Sequence, residues 1–351
     1  MNSVSITGAG ILNPFLNKSE DIKLWAEKGF PFPGPEVPEP INIPGIHPKE
    51  VRQMSRLTRM ALYTAFATLG ERKELSPGAG VFFGMTHGST SYLKKFHDYL
   101  FDYGPDLASP LMFSAGVSNA PLSAISSLLK IQDGGMTYVG VEHTGLDVLN
   151  EAASSVFKGV YDIVLAGAAE EYSDVVEGVY QKMGCYTEEK PPFLPSPCSG
   201  KKINGSFRIS EMSLFFKLEK SPGNPGEPCL YYSPREEVSE IQPDLVISSA
   251  GGYLADRYAL KVLKNVFSKF KSPVPLLFSK PLFGENFAPG SLAPVFMACE
   301  ILKNHIRFPF YPFHPGISNV TDFYSPERIR NILVVAAGRN GIVKQGMVFL
   351  S

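Results

Sequence analysis

The sequence has 351 residues, enough for one large domain or two ordinary ones with a sizeable hydrophobic core. Its 33 Lys and Arg nearly balance its 34 Asp and Glu, a formal charge of −1, which excludes the strongly basic surface of a nucleic-acid-binding protein. Hydrophobic residues make up 44% of the chain, which excludes disorder over most of its length.

The N-terminal part predicts a strand, a loop and helices. Residues Val4–Gly10 predict a short strand that runs into glycines, and Asn17 or Ser19 is expected to cap the helical segment that follows. Seven prolines from position 31 to position 48 predict an extended surface loop, because proline restricts the backbone and lacks an N–H donor. Apolar residues from Val51 to Ala67 share one helical stripe, which predicts a helix that ends at Gly70.

The most informative pattern lies between residues 136 and 167. Met136–Val141 predicts a buried strand, and a sharp connection at residues 142–145 leads into a helix with apolar residues at helical spacing. Thr144 and Asp147 are expected to form a capping box at the start of this helix. The next strand is predicted at Ile163–Gly167, so the order strand, turn, helix, strand indicates a parallel sheet. Glu142 therefore lies at an elbow beside a helix N-terminus.

A second α/β half is predicted in the C-terminal part. Helices are expected around residues 260–267 and 293–302. The predicted strands are short apolar runs at Leu245–Ser249, Pro275–Phe278, Ile332–Ala336 and Met347–Leu350. We therefore divide the chain into an N-terminal half, residues 1–225, and a C-terminal half, residues 226–351.

The sequence also bears on location and cofactors. The first 15 residues contain no Lys or Arg and are interrupted by Gly and Pro, unlike a signal peptide, and no window approaches the roughly 20 apolar residues of a membrane span. We therefore expect a cytoplasmic protein. The four cysteines show no CxxC spacing, so thiols are favoured over a disulfide framework or metal site, and no cofactor is expected; they are Cys185, Cys198, Cys229 and Cys299.

Several landmarks occur in the order found in one enzyme family. They are Val4–Gly10, Ser55–Leu62, Ser118–Pro121, Thr137–Leu149, Ser206–Glu219 with Phe207 and Glu211, and Lys280–Gly290. In these segments the chain resembles the β-ketoacyl-acyl-carrier-protein synthases over nearly its whole length. The resemblance implies an α/β fold of the thiolase-like, layered αβαβα type with two mixed sheets.

The resemblance also identifies three positions where the family keeps catalytic groups. The family's elbow cysteine, which carries the acyl chain as a thioester, corresponds to Glu142. Its two histidines, which stabilise the charge that develops on decarboxylation, correspond to Ser249 and Glu285. Lys280, in the second histidine segment, is kept, and we expect its ammonium to lie near Glu142 or Glu285. No catalytic residue is therefore expected in this site.

Loss of both histidines favours one branch of the family. Decarboxylating loading synthases replace the cysteine but keep the histidines, whereas chain-length factors lose catalytic competence and pair with an active synthase. The leading hypothesis is a noncatalytic, chain-length-factor-like subunit in type II polyketide, polyene or fatty-acid-like synthesis. Its expected partners are an active ketosynthase, in a heterodimer, and an acyl carrier protein. Two alternatives stay open: a thioester hydrolase that uses Glu142 and Glu285 as acid and base, and a homodimeric acyl-binding scaffold.

The resemblance further implies an interface with the partner. In the family, the strands that precede the elbow pair across the dimer axis, and the segment before them borders the partner's acyl tunnel. The corresponding residues here are Leu111, Met112, Phe113, Val139 and Val141. His143, next to the elbow, is interpreted as a structural or surface histidine, because side chains of adjacent residues diverge.

Overall fold

The structure is a computed structural model, and it describes residues 3–16, 22–23, 34–70, 75, 77–184, 208–220, 230–235, 242–250, 257–309, 317, 319–321, 324–338 and 340–350. The helix predicted after Asn17 or Ser19 falls almost entirely outside these residues. Cys185, Cys198 and Cys229 also lie outside them, whereas Cys299 is a buried free thiol.

Eleven strands are present among the described residues. They are β1 Val4–Leu12, β2 Ala79–Met85, β3 Gly135–Val139, β4 Ile163–Glu170, β5 Met212–Glu219, β6 Leu230–Arg235, β7 Leu245–Ser248, β8 Val274–Phe278, β9 Val320–Thr321, β10 Asn331–Ala337 and β11 Val343–Leu350. The strands predicted in both halves are confirmed, with boundary shifts of a few residues. The predicted burial of the Met136–Val141 strand is wrong, because β3 is the edge strand of the sheet and three of its five residues are exposed.

Ten α-helices are present among the described residues. They are α1 Pro48–Val51, α2 Arg56–Leu69, α3 Thr90–Tyr103, α4 Pro110–Gly116, α5 Ala120–Leu128, α6 Thr144–Phe157, α7 Asp174–Lys182, α8 Arg257–Phe267, α9 Lys280–Phe283 and α10 Ala293–Asn304. The single helix expected from Val51 to Ala67 is two helices, because Ser55 starts α2 as its N-cap and accepts the Thr58 amide.

Each half of the chain contributes a mixed set of strands. The order is β3-β2-β4-β5-β1 in the N-terminal half and β6-β11-β10-β7-β8-β9 in the C-terminal half. Parallel pairs, such as β2 with β3 and β10 with β7, occur beside antiparallel ones, such as β4 with β5 and β10 with β11. The two sets join where the start of β1 pairs with β6, so the two mixed sheets expected from the resemblance form one continuous mixed sheet among the described strands.

Two helices lie at the centre of the molecule. In α10, ten consecutive residues from Ala293 to Leu302 are buried, and α6 buries nine of its residues. Both helices belong to the main hydrophobic cluster, together with residues from strands of both halves. A helix that is apolar on nearly all sides must pack between other layers, and these two helices therefore fix the position of the elbow within the core.

Two further local predictions are wrong. The proline-rich loop does not lie wholly on the surface, since Val37, Ile41 and Ile43 are buried against the body of the protein. Thr144 and Asp147 form no capping box, because the N-cap of α6 is His143 and its side chain makes no capping bond. Within the described residues, no helix is long and apolar enough to cross a membrane.

Candidate functional site

The elbow connects the edge strand β3 to the central helix α6. β3 ends at Val139, and the Thr144 amide donates to the Val141 carbonyl at 2.9 Å, which turns the chain sharply before the helix begins. Glu142 lies inside this turn and is half-buried. A carboxylate is electrostatically favourable there, because the helix N-terminus carries partial positive charge.

The three positions identified from the resemblance meet in one pocket. Glu142, Ser249 and Glu285 all line it, together with Lys280 and Ala337. The cavity volume is about 10 Å³, which leaves room for about one water molecule. Glu142 and Glu285, which are 143 positions apart in sequence, are therefore brought together with Ser249, as expected for a site of this fold.

Lys280 and Glu285 form the ion pair of this pocket. Lys280 Nζ lies 2.9 Å from Glu285 Oε2, and both side chains are largely buried, with exposures of 11% and 3%. This confirms the prediction that the Lys280 ammonium lies near one of the two carboxylates. The pair satisfies both charges internally, since removal of either member would strand the other in a poorly solvated place.

A short backbone ladder holds Glu285 in position. Its N–H donates to the Arg208 carbonyl at 2.8 Å, and its carbonyl accepts the Ser210 amide at 3.0 Å. Gly284, just before it, has φ +79°, and a Cβ there would lie 2.9 Å from the Arg208 carbonyl oxygen, so glycine is required at this turn. The segment before β5 thus supports the pocket from outside.

The pocket's residues limit its chemistry. None of the described residues that line it is Cys or His, so it offers neither a thiolate acyl carrier nor imidazole donors for a thioester. Within the described residues, no cluster of His, Cys, Asp and Glu could hold a metal ion either. What the pocket provides is a paired lysine, two carboxylates and space for about one water.

His143 forms a hydrogen-bonded chain on the other side of the elbow. Its Nδ1 lies 2.6 Å from Asp147 Oδ2, and Lys344 Nζ lies 2.9 Å from Asp147 Oδ1. Burial would raise the pKa of Asp147, but the hydrogen bonds from His143 and Lys344 outweigh it and hold the pKa below its usual range. His143 is buried, which agrees with a structural role, and Asp147, which it orients, ties α6 to β11 through Lys344. The spacing of four residues between His143 and Asp147 was the available sequence signal for this contact.

Glu211, which the chain shares with the family's motif before β5, is a structural centre. Its side chain is 0% exposed and receives Arg56 Nε at 2.6 Å and Nη2 at 2.7 Å. The amides of Val37 and Tyr172 also donate to it, at 2.7 and 3.0 Å. Glu211 therefore joins α2, the proline-rich loop and the segment after β4, a role that sequence analysis did not identify.

The residues predicted to face a partner differ in exposure. Val139 lies on β3, the edge strand of the sheet, and is 60% exposed, whereas Val141 is half-buried beyond the end of the strand. Leu111 and Phe113 are 48% and 53% exposed on helix α4, and Met112 between them is half-buried. Three of the five side chains are thus exposed and two are half-buried, so all five leave some apolar surface open to a neighbour.

Comparisons with known proteins agree with this geometry. Residues 41–198 match the sequence profile of the β-ketoacyl synthase N-terminal domain. A comparison with curated protein sequences found no match.

Three solved structures share the fold over almost the full length of both chains. One is described as the ishigamide ketosynthase/chain length factor, with TM-score 0.78 and 14% identity, covering 99% of this chain and 98% of that one. The second is a type II polyketide synthase acyl-carrier protein in complex with its ketosynthase bound to the hexaketide, with TM-score 0.76, 14% identity and coverages of 99% and 98%. The third is a β-ketoacyl synthase from Burkholderia phymatum, with TM-score 0.74, 16% identity and 99% of each chain covered.

The sequence profile and the shared fold lead to one assignment. The domain match includes the elbow and the segment before it, and the structural matches extend through the C-terminal half. The chain therefore has the thiolase-like fold, its residues 41–198 match the β-ketoacyl synthase N-terminal domain, and its structure is similar to those of a ketosynthase/chain length factor and of a β-ketoacyl synthase.

Proposed function

We propose that this chain is a noncatalytic, chain-length-factor-like subunit that pairs with an active ketosynthase and works on chains held by an acyl carrier protein. The observation that carries the proposal is the pocket in which Glu142, Ser249 and Glu285 meet. Condensation needs a nucleophile that can hold an acyl group and donors for the thioester oxygen. These three side chains supply neither a thiolate nor an imidazole donor, and the pocket's volume of about 10 Å³ is far too small for a thioester.

The exposed edge of the sheet supports a partner of similar fold. β3 pairs only with β2 among the described strands, and Met136 and Val139 expose apolar surface along it. An open edge strand with exposed apolar side chains is normally covered in a native assembly, because it invites pairing with another strand. A second ketosynthase-fold chain would extend the sheet across this edge.

The solved relatives support the class of partner. One of them is described as a ketosynthase with a chain length factor, and another contains an acyl-carrier protein bound to its ketosynthase. We propose that the present chain likewise pairs with a ketosynthase and works with an acyl carrier protein. A heterodimer would leave condensation to the partner's cysteine and give this chain a role in shaping the product.

Copurification tests the pairing. We expect the chain to form a 1:1 complex with a cysteine-bearing ketosynthase encoded beside it, measured by light scattering after coexpression. Val139→Asp should abolish the complex, because it places a charge on the exposed edge strand, at the last residue of β3. Val160→Asp is the matched control, since Val160 is 62% exposed but lies outside β3. Equal binding by both variants, or a homodimer that excludes the synthase, would contradict the proposal.

Restoring a thiol alone should not restore condensation. In Glu142→Cys, the elbow thiol can accept an acyl group, but Ser249 and Glu285 still offer no imidazole for the malonyl thioester. Mass spectrometry of the isolated variant is expected to show acylation at most, with no carbon–carbon bond formation. The control is Ser154→Cys, which adds a thiol on the far part of α6. Condensation by Glu142→Cys without a partner would show that the histidine positions are misassigned.

Thioester hydrolysis by the isolated chain would contradict the proposed noncatalytic function. The isolated wild-type chain should not hydrolyse acyl thioesters above background, because its pocket holds about one water and no substrate carbonyl. Hydrolysis that is abolished by Glu142→Gln would instead identify an enzyme of altered chemistry.

A further inference from the structure

Two helix N-termini converge on one buried carboxylate, that of Glu171. Its Oε2 accepts the Leu57 amide of α2 at 3.0 Å, and its Oε1 accepts the Ser91 amide of α3 at 2.9 Å. The N-cap residues of the two helices also touch, with Ser89 Oγ donating to Ser55 Oγ at 2.8 Å. Ser89 itself makes no side-chain capping bond to α3, so Glu171 supplies that cap from another element. The carboxylate therefore fastens α3 to α2.

The charged groups around Glu171 do not neutralise it. Arg56, at the start of α2, pairs with Glu211, which lies before β5. His87, in the segment before α3, pairs with Glu170 at the end of β4. Among the described residues no salt bridge reaches Glu171, which is 4% exposed, and the Glu211 charge repels it. When it is ionised, Glu171 is a buried charge with no paired cation in the described part of the chain, held by amide hydrogen bonds from two helix N-termini.

The two helices differ greatly in how firmly they are attached. α2 buries ten of its fourteen residues. All fourteen residues of α3 are described, and none of them is fully buried. Gly88, just before α3, has φ +72°, a backbone conformation that favours glycine and can serve as a pivot. If Glu171 must reach water, α3 is the element that moves.

We propose that ionisation of Glu171 releases α3 from α2, so that the hairpin of residues 90–116 opens as the pH rises towards neutrality. This hairpin contains α3 and α4 and carries Leu111, Met112 and Phe113. The inference rests on the fold and stands independently of the function proposed above.

Proton linkage gives the direction in which pH changes the opening of the hairpin. Burial raises the pKa of Glu171 to about 7, from 4.5 for an exposed glutamate, although the Ser91 and Leu57 amides oppose the shift. Closure therefore favours the protonated carboxyl, and its stabilisation is complete below pH 4.5 and is lost as the pH rises to about 7. Between pH 5 and 7.5 the opening equilibrium constant should increase, up to a ceiling of about 50-fold for a shift of this size.

Amide hydrogen exchange of the full chain tests the proposal. The exchange of residues 91–103, normalised to the intrinsic rate at each pH, should show the hairpin opening more at pH 7.5 than at pH 5. In Glu171→Gln, which carries no titratable group, this pH dependence should disappear whatever the absolute protection. Glu300→Gln is the matched control, because Glu300 is also a buried carboxyl with a raised pKa but lies on α10.

Three results would overturn the proposal. The first is amide exchange of α3 in the wild type that does not change with pH. The second is a pH dependence of this exchange that survives in Glu171→Gln. The third is the loss of this pH dependence in Glu300→Gln. If Glu171→Gln does not fold, the pH dependence of α3 exchange in the wild type decides whether the proposal stands. A carbon-13 NMR titration of the glutamate carboxyls supplies a second readout, with Glu171 expected to titrate well above the exposed glutamates.

Discussion

Arg56→Ala is expected to lower the free energy of unfolding by about 3–5 kcal/mol, the usual effect of removing one partner of a buried ion pair. Arg56 makes two hydrogen bonds to Glu211, whose side chain is completely buried. In the variant, the amides of Val37 and Tyr172 would still donate to Glu211, but no cation among the described residues would balance its charge. Urea denaturation followed by circular dichroism measures the loss.

The neighbouring arginine provides the control for this experiment. Arg59 lies three residues further along α2 and contacts Glu39 at 3.0 Å, a carboxylate that is 43% exposed. Because water already solvates that pair, Arg59→Ala should cost less than about 1 kcal/mol. Similar losses in the two variants would mean that Glu211 does not depend on Arg56, and that the proline-rich loop is held mainly by its buried apolar residues.

Shortening the side chains of α4 should lengthen the products of the reconstituted pair. Leu111 and Phe113 are exposed in the free chain, and Phe113 packs on Phe96 with ring centroids 5.6 Å apart. If one of these residues closes the partner's acyl tunnel, the growing acyl chain can be extended further only by overlapping a packed side chain, at a cost of roughly 1–3 kcal/mol. Removing the obstacle should shift the partition between extension and release by about ten- to a hundredfold, as measured by mass spectrometry of the products.

The three alanine variants are compared with one nearby substitution. Leu111→Ala, Met112→Ala and Phe113→Ala should each leave the complex intact, and at least one should lengthen the product. Leu107→Ala serves as the control, because Leu107 is 66% exposed in the same hairpin but lies before α4. Unchanged product length in all three variants, with normal complex formation, would leave this chain as a scaffold without a gating role.

The order of the elements and the location of the site could be predicted from the sequence. Short apolar runs and helical stripes depend on neighbouring residues, so the strands at Val4, Ile163 and Ile332 and the helix after Glu142 were evident locally. The elbow was predictable for the same reason, since a strand, a tight turn and a helix follow one another within about twenty residues. The meeting of Glu142 with Ser249 and Glu285 followed from a resemblance in motif order, not from periodicity.

Tertiary structure alone decided which charges are buried together. Arg56 and Glu211 are 155 residues apart, and Glu171 receives amides from residues 114 and 80 positions away. No local pattern distinguishes these carboxylates from surface glutamates, because burial and partner choice depend on how the layers pack. The same holds for α3, whose apolar residues resemble those of a core helix in sequence but are only half-buried or exposed in the folded chain, since the described elements that contact α3, such as α4 through Phe113 and Phe96, cover it only in part. Periodicity specifies that a helix forms, whereas the arrangement of the other elements determines what the helix covers.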